Sequence, residues 1–232
     1  LLLRQFRGFD TIEGLEEILS RLESAAGHRR RMDYQEAIQL DRPLQKAGER
    51  WVDPLYHHIQ ARTCLSLSYQ PFYEEEPLEL IVSPYLLREY NRRWFLIAWN
   101  HPETAVHTFP LDRIRHFSPS GHLFFRHPDF SPKVYYRDVI GVSMPEDAKA
   151  EEVLFSTTPL QARYIETKPI HHSQQRVGER EGAVLFSLQV IPNFELESTL
   201  LSFGESLSVL EPAWLRERLK TRLQEALGQY LE

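Results

Sequence analysis

The side chains best suited to binding chemistry are arginines that interrupt a run of apolar segments between residues 80 and 117. A guanidinium presents a planar fork of donors that matches the oxygens of a phosphate, and each such charge-assisted hydrogen bond contributes about 1.5 to 3 kcal/mol. Arg113 and Arg88 are the first candidates for gripping a phosphate, and Arg93 comes next. For Arg113 the competing interpretation is a structural ion pair with Asp112 or another carboxylate, because surface ion pairs are common.

Aromatic and hydroxyl side chains accompany these arginines. Tyr85 and Tyr90 offer rings on which a nucleobase could stack, although both could instead pack at the edge of a sheet. Ser83 could add a hydroxyl to the same site, or, as the residue before Pro84, could only shape the backbone of a turn. The combination predicts a local cleft that holds a phosphate carrying a flat ring.

Other chemistries find little support in the sequence. The adjacent pairs His57-His58 and His171-His172 are not expected to point two imidazoles the same way, and neither has the His-x-x-x-His spacing of a metal site. No metal or cofactor is therefore expected. Neither Gly-x-Ser-x-Gly nor a glycine-rich phosphate loop occurs. The single cysteine, Cys64, excludes an intramolecular disulfide and is expected to be a small buried side chain.

Composition limits the kind of anion binding that is possible. The chain has 232 residues, with 27 Lys and Arg against 33 Asp and Glu, so its net charge of -6 excludes a uniformly positive surface that would coat duplex DNA. Any anion site must be local. No apolar run is long enough to span a bilayer and the first residues lack the layout of a signal peptide, so we expect a cytoplasmic protein without a membrane partner.

The first half of the chain is predicted to hold helices followed by short strands. One helix runs from Asp10 to Leu22 and ends at Gly27, and a second begins with Asp53 as N-cap. Alternating apolar residues predict a strand over 65–69, and glutamates before Pro77 predict a hairpin loop. Further strands are separated by turns, which suggests a small, strongly bent antiparallel barrel. These turns are expected at Ser83-Pro84-Tyr85, at Asn91, at Asn100-His101-Pro102 and near Pro110.

The second half is predicted to be a separate α+β domain. Prolines and weak periodicity between residues 126 and 151 indicate the boundary. If a strand covers Ile170 to Val177, the elements follow the order βαββαβ plus a helix, which is the ferredoxin-like order. The final helix carries apolar residues along one stripe, namely Leu215, Leu219, Leu223 and Leu227.

These segments together resemble the WYL-domain family of bacterial transcriptional regulators. The eponymous Trp-Tyr-Leu is present as Trp94-Phe95-Leu96, and the flanking motifs occur in family order. Phe95 departs from the family by replacing its tyrosine, and His107 and Pro110 stand where many members have arginines. The motifs that carry the resemblance are Pro84-Tyr85-Leu86-Leu87-Arg88-Glu89-Tyr90-Asn91-Arg92-Arg93, Leu111-Asp112-Arg113-Ile114, Pro192-Asn193-Phe194-Glu195-Leu196 and Leu201-Ser202-Phe203-Gly204.

The resemblance implies an α+β protein with separate domains along the chain. A helical linker over 1–50 would follow a missing DNA-binding helix-turn-helix, a small Sm-like or SH3-like WYL β-barrel would cover 51–127, and a linker over 128–150 would lead to a ferredoxin-like C-terminal extension over 151–232. Duplex DNA would be bound only through the missing module.

The barrel would bind a single-stranded nucleic acid or nucleotide effector, and the chain would form a homodimer. The ligand-binding residues implied are Ser83, Tyr85, Arg88, Tyr90, Arg93 and Arg113. Two alternatives remain open: an enzyme acting on a phosphorylated small molecule, with His101 or His107 as general base, and a dimerisation scaffold whose groove stays empty.

Overall fold

The computed structural model describes residues 48–146 and 148–231, and the chain divides between Asp129 and Phe130 into two units. The helix expected from Asp10 to Leu22 lies outside the described residues. In the described part, both units combine helices with antiparallel sheets, which confirms the α+β class.

Five antiparallel strands form the sheet of the first unit, in the order β4-β3-β2-β1-β5. The described pairings leave β4 and β5 as separate edges, so they give an open sheet and do not close the expected barrel. The strands are β1 (Leu65–Tyr69), β2 (Leu78–Tyr90), β3 (Arg93–Asn100), β4 (Ala105–Pro110) and β5 (Ile114–Pro119).

Alternation along these strands places one face of the sheet on an apolar core. Leu65, Leu67 and Tyr69 of β1 are buried, as the two-residue period of the sequence predicts. Leu96 and Ala98 of β3 join them. Trp94 packs against the same core, whereas Trp99 lies outside it, because residues an odd number apart on a strand point to opposite faces.

One expected turn is absent, because Ser83-Pro84-Tyr85 lies within the long strand β2. The register shifts between Pro84 and Leu86, so Tyr85 is an extra residue with no partner on β3. Proline cannot donate to a ladder and is tolerated in sheets mainly at edges and bulges, which explains why this sequence bends a strand here without ending it.

Helix α1 (Val52–Gln60) begins differently from the prediction. Its N-cap is Trp51, at the end of a 3-10 turn over Glu49–Trp51, and Asp53 lies in its first turn. The 3-10 turn supplies the preceding helical residues, and the aspartate adds a favourable negative charge near the helix N-terminus. The Trp51 indole donates to the Ile114 carbonyl at 3.1 Å, which fixes the helix on the sheet.

The second unit contains a four-stranded antiparallel sheet in the order β7-β8-β6-β9. Its elements follow one another as a short helix, then strand, helix, strand, strand, helix, strand and helix. The ferredoxin-like assignment of this extension stays a prediction. The elements are α2 (Pro132–Tyr135), β6 (Glu151–Thr157), α3 (Pro159–Thr167), β7 (Gln175–Arg180), β8 (Ala183–Val190), α4 (Phe194–Leu201), β9 (Leu207–Glu211) and α5 (Ala213–Gly228).

Side chains at the start of α4 bind the segment that precedes β6. The Asn193 amide donates to the carbonyls of Ile140 and Ser143 at 2.8 and 2.9 Å. The Glu195 carboxylate accepts from the backbone N–H groups of Val142 and Ser143 at 3.0 and 3.1 Å. These bonds hold residues 140–143 against the start of α4 within the second unit, because they pair backbone groups of that segment with side chains of the helix start.

Two further expectations differ in the second unit. The strand expected over Ile170 to Val177 begins only at Gln175, because the preceding residues form a turn. On α5, Leu215 and Leu219 are buried but Leu223 and Leu227 are 52% and 57% exposed. The helix has 16 residues and extends about 24 Å, whereas the strand β9 that precedes it has five residues, and only the first half of the leucine stripe is buried.

Candidate anion-binding site

The β2–β3 hairpin brings three of the expected site residues to one face of the sheet. Tyr90 lies directly opposite Arg93, and Arg88 lies directly opposite Phe95. Opposed residues of an antiparallel pair project to the same side, so Arg88, Tyr90 and Arg93 share a face. The hairpin closes through Asn91 and Arg92, whose φ angles of 47° and 64° are the left-handed values that a two-residue hairpin turn needs.

Arg93 is joined to the 3-10 turn Leu111–Arg113, which follows β4. Its guanidinium lies 3.3 Å from a carboxylate oxygen of Asp112, whose side chain is 12% exposed. The other carboxylate oxygen, Oδ1, is buried and has no hydrogen-bond partner among the described residues. Arg93 itself is 45% exposed, so solvent screening keeps this pair weak and leaves the guanidinium accessible.

Arg113 lies on an aromatic ring. Its guanidinium carbon stands 3.8 Å from the centroid of Phe72, whose side chain is 75% exposed. Its buried Nε has no hydrogen-bond partner in the part of the chain that the structure describes, and none of the described carboxylates forms an ion pair with it. Burial raises the pKa of the adjacent Tyr69 phenol, while the charge of Arg113 and a side-chain hydrogen bond between Arg113 and this phenol act in the opposite direction.

Ser83 and Tyr85 lie near the middle of β2, about 17 to 23 Å along the strand from Tyr90. The Ser83 hydroxyl is fully buried, lies 2.9 Å from Nε2 of His101 and accepts from the Phe125 N–H at 3.0 Å. The Tyr85 hydroxyl donates to the Phe125 carbonyl at 2.8 Å and accepts from the His127 N–H at 2.9 Å. Both side chains therefore hold residues 124–127, and the structure does not bring them to the arginines.

Comparison with known proteins decides the family. A WYL domain matches residues 46–119, and a WCX domain matches residues 149–227. The chain belongs to the WYL-domain family. The anion-site candidates on β2, β3 and the 3-10 turn all fall inside the WYL domain, and the second unit contains the WCX domain.

Two solved structures are similar to this WYL-domain protein. Proteasome accessory factor B/C (PafBC) of Arthrobacter aurescens has 21% identity and a TM-score of 0.34, over 82% of this chain and 28% of its own. A CRISPR Cas-related protein has 12% identity and a TM-score of 0.45, over 79% of this chain and 52% of its own. The chain thus spans about half of the length of the CRISPR Cas-related protein and about a quarter of the length of PafBC. No curated protein matches at a significant level.

The histidines of the WYL domain have internal partners. His107 lies 3.1 Å from the Glu103 carboxylate, so where many family members have an arginine this chain has an imidazole directed at an acid. Burial lowers the pKa of His101, and a nearby His122 lowers it further. Cys64 is buried, as expected, with its sulfur 3.5 Å from Nε2 of His101.

The expectation for one histidine pair is wrong. His171 and His172 both direct Nε2 at the carbonyl oxygen of Arg137, at 2.9 and 2.7 Å, because they lie in a turn and not on a strand. Among the described residues, no group of three His, Cys, Asp or Glu side chains could hold a metal ion. No described helix is both long and apolar enough to cross a membrane.

The sequence did not identify Phe72, whose ring lies against the guanidinium of Arg113. The two residues are 41 positions apart, and they meet because Tyr69 at the end of β1 pairs with Ile114 at the start of β5. The backbone N–H of Gln70 also donates to the Arg113 carbonyl at 2.9 Å, which fixes the two loops together. Only knowledge of the β1–β5 pairing could have revealed this contact, since no local motif signals it.

Proposed function

We propose that this chain is the effector-sensing and dimerising part of a bacterial WYL-type transcriptional regulator. Its WYL domain binds a single-stranded nucleic acid or a nucleotide-like anion, and duplex DNA is bound by a helix-turn-helix outside this chain. Such a regulator works in the cytoplasm. The observation that carries the proposal is the Arg113 guanidinium, which lies on an exposed ring, has an unpartnered buried Nε and pairs with no described carboxylate.

The charges around Arg113 favour an anion. Arg93 pairs with Asp112, which precedes Arg113 in the chain, so these three side chains sum to a charge of +1 in a chain of net charge -6. A phosphate that binds the exposed Arg93 guanidinium displaces only a weak ion pair, since a half-exposed pair contributes at most about 1 kcal/mol.

The aromatic groups favour a ligand that carries bases. Phe72 presents its ring to solvent beside Arg113, and Tyr90 stands on the face of Arg88 and Arg93. Stacking on such rings contributes about 1 to 3 kcal/mol for each base and does not depend on sequence. The proposed site therefore consists of Arg88, Tyr90, Arg93 and Arg113 with Phe72, while Ser83 and Tyr85 position residues 124–127.

The chain is proposed to bind its effector without transforming it. The Ser83 hydroxyl next to His101 has the separation of a nucleophile and its base, but its side chain has no exposed surface. A substrate cannot reach this oxygen in the described conformation. His107, the other candidate base, is directed at Glu103.

The test is titration of the chain with a fluorescently labelled single-stranded oligonucleotide, followed by anisotropy at about 50 mM and about 200 mM salt. We expect binding that weakens as salt rises. Arg113→Ala should weaken it about 10- to 150-fold, because one or more charge-assisted hydrogen bonds are lost. The matched control is Arg115→Ala, which removes an exposed arginine of β5 two positions away. Equal affinities for the two variants would refute the site.

Dimerisation is proposed through the end of α5. Leu223 and Leu227 are more than half exposed there, on the stripe that buries Leu215 and Leu219 further back along the helix, and Tyr230 in the turn that follows is also exposed. A second copy of the chain would cover this surface, since exposed contiguous apolar surface marks an interaction site. Sedimentation of Leu223→Glu should show monomers, and the control Leu160→Glu, which alters an exposed leucine of α3, should leave dimers intact.

A further inference from the structure

A pocket lies at the end of β3 that is remote from the arginines of the proposed anion site. It is open to solvent, has a volume of about 530 Å³ and falls within the size range of small-molecule sites. Trp99 stands on the same strand face as Arg93, six residues away, which corresponds to about 20 Å. The pocket is lined by Trp99, His101, Thr104, His122, Leu123 and Phe125.

Aromatic rings form the walls of this pocket. The centroids of Trp99 and Phe125 are 4.7 Å apart with an interplanar angle of 49°, and His127 lies 5.5 Å from the indole on a tilt of 32°. Phe125 remains 40% exposed and Leu123 is 89% exposed. These walls are apolar, and the described lining contains no lysine or arginine, so the pocket suits a neutral ring and not a phosphate.

The aromatic wall is fixed by the backbone of Phe125. Its N–H donates to the Ser83 hydroxyl, and its carbonyl accepts from the Tyr85 hydroxyl. Both anchoring side chains are buried on β2, with exposures of 0% and 6%. A wall held in this way is in place before a ligand arrives, which reduces the ordering cost of binding.

The hydrogen bonds of His101 leave one donor for a ligand. The Ser83 oxygen accepts from Phe125 and lies 2.9 Å from Nε2 of His101, and we assign the hydroxyl proton to this contact. With this assignment Nε2 carries no proton, and the hydrogen of the neutral ring resides on Nδ1. Nδ1 has no partner among the described residues, and burial favours the neutral ring by lowering the pKa of His101.

We propose that this pocket binds an uncharged planar heteroaromatic ring of the nucleobase class. The ring stacks on Trp99 and Phe125, and a ring nitrogen or carbonyl oxygen accepts from Nδ1 of His101. Thr104 supplies a hydroxyl at the rim. The inference relies on the proposed function only for the choice of nucleosides as probes, since no arginine of the anion site takes part.

The experiment is calorimetric titration of the full chain with adenosine, guanosine, cytidine and uridine, with ribose 5-phosphate as the control that lacks a base. We expect at least one nucleoside to bind with an affinity that is the same at about 50 mM and about 200 mM salt, because no ion pair is involved. Ribose 5-phosphate should not compete with it. Phe125→Leu and Trp99→Leu should each weaken binding about 5- to 150-fold through the loss of stacking.

The control variant is Trp214→Leu, which removes a 45% exposed tryptophan of the second unit and should leave nucleoside affinity unchanged. Absence of nucleoside binding to the unaltered chain at concentrations up to about 1 mM would overturn the inference. So would unchanged binding in Phe125→Leu, a variant that keeps both backbone hydrogen bonds of that residue. Arg113→Ala should weaken oligonucleotide binding about 10- to 150-fold yet leave nucleoside binding unchanged, so the two proposals fail separately.

Discussion

Replacing Tyr85 with phenylalanine tests how residues 124–127 are held. The hydroxyl makes two hydrogen bonds, to the Phe125 carbonyl and from the His127 N–H, and the side chain is 6% exposed. Tyr85→Phe keeps the ring and removes the hydroxyl that makes these two bonds. Because each neutral hydrogen bond contributes about 0.5 to 1.5 kcal/mol, the loss should be about 1 to 3 kcal/mol of local stability.

Hydrogen exchange measures this loss at the residues concerned. The amide of His127 should exchange about 5- to 150-fold faster in Tyr85→Phe, because local opening becomes easier by the same free energy. The amides of β1 and β3 should keep their protection, since their ladder bonds are intact. Chemical denaturation of the same variant should show a loss no larger than the local one.

The matched control is Tyr135→Phe in the second unit. Burial raises the pKa of the Tyr135 phenol to about 12, but its hydroxyl makes no hydrogen bond with the described residues. Removing that oxygen should therefore leave stability unchanged or slightly higher, because no partner is lost. If the His127 amide is equally protected in Tyr85→Phe and in the unaltered chain, the Tyr85 hydroxyl does not hold residues 124–127, and the reasoning is refuted.

Three more substitutions probe other parts of the chain. Gly48→Ala should lower the free energy of unfolding by more than about 1 kcal/mol in thermal unfolding, because the φ angle of Gly48 is 87° and a Cβ would collide with the segment after β4. In the control Gly182→Ala, at a φ angle of 81° with open space around the Cβ, the free energy of unfolding should fall by less. Glu197→Gln should lower stability by about 1 to 3 kcal/mol in urea, since its 3%-exposed carboxylate binds two arginines of α5, at 2.7 and 2.9 Å. Burial lowers the pKa of His171 below its usual value of about 6.5, so the neutral ring stabilises the fold above about pH 6.5. This contribution is lost as the pH falls through the lowered pKa. His171→Gln should remove that part of the pH dependence of the free energy of unfolding.

Local patterns predicted the regular elements well. Alternation in 65–69 identified β1 with its observed bounds, and Pro212 before an apolar stripe identified the start of α5. These patterns are informative because the buried face of a strand or helix produces a periodic spacing of apolar residues over a few positions. Where two signals competed, the prediction was wrong: Asp53-Pro54 has the composition of a helix start, but a preceding 3-10 turn placed the start earlier.

The candidate site was only partly predictable. Arg88, Tyr90 and Arg93 share a face because a hairpin of known turn chemistry sets their register, and such a register can be inferred from sequence. The positions of Ser83 and Tyr85 depend on contacts about 40 residues away, with Phe125 and His127. No local pattern encodes contacts at that separation, so the sequence grouped these hydroxyls with the arginines.

The bulge at Tyr85 has a consequence for the parity of β2. Ser83 and Arg88 are five positions apart, so an unbroken pleat would direct them to opposite sides, yet Ser83 opposes Trp99 and Arg88 opposes Phe95 on one side of β3. The extra residue reverses the alternation once. A β2 strand without Tyr85 would have a regular pleat and would keep Ser83 and Arg88 on this same side, because four positions would then separate them. It would lose the hydroxyl that binds Phe125 and His127, so the extra residue of β2 serves the segment over 124–127 and not the face that carries the arginines.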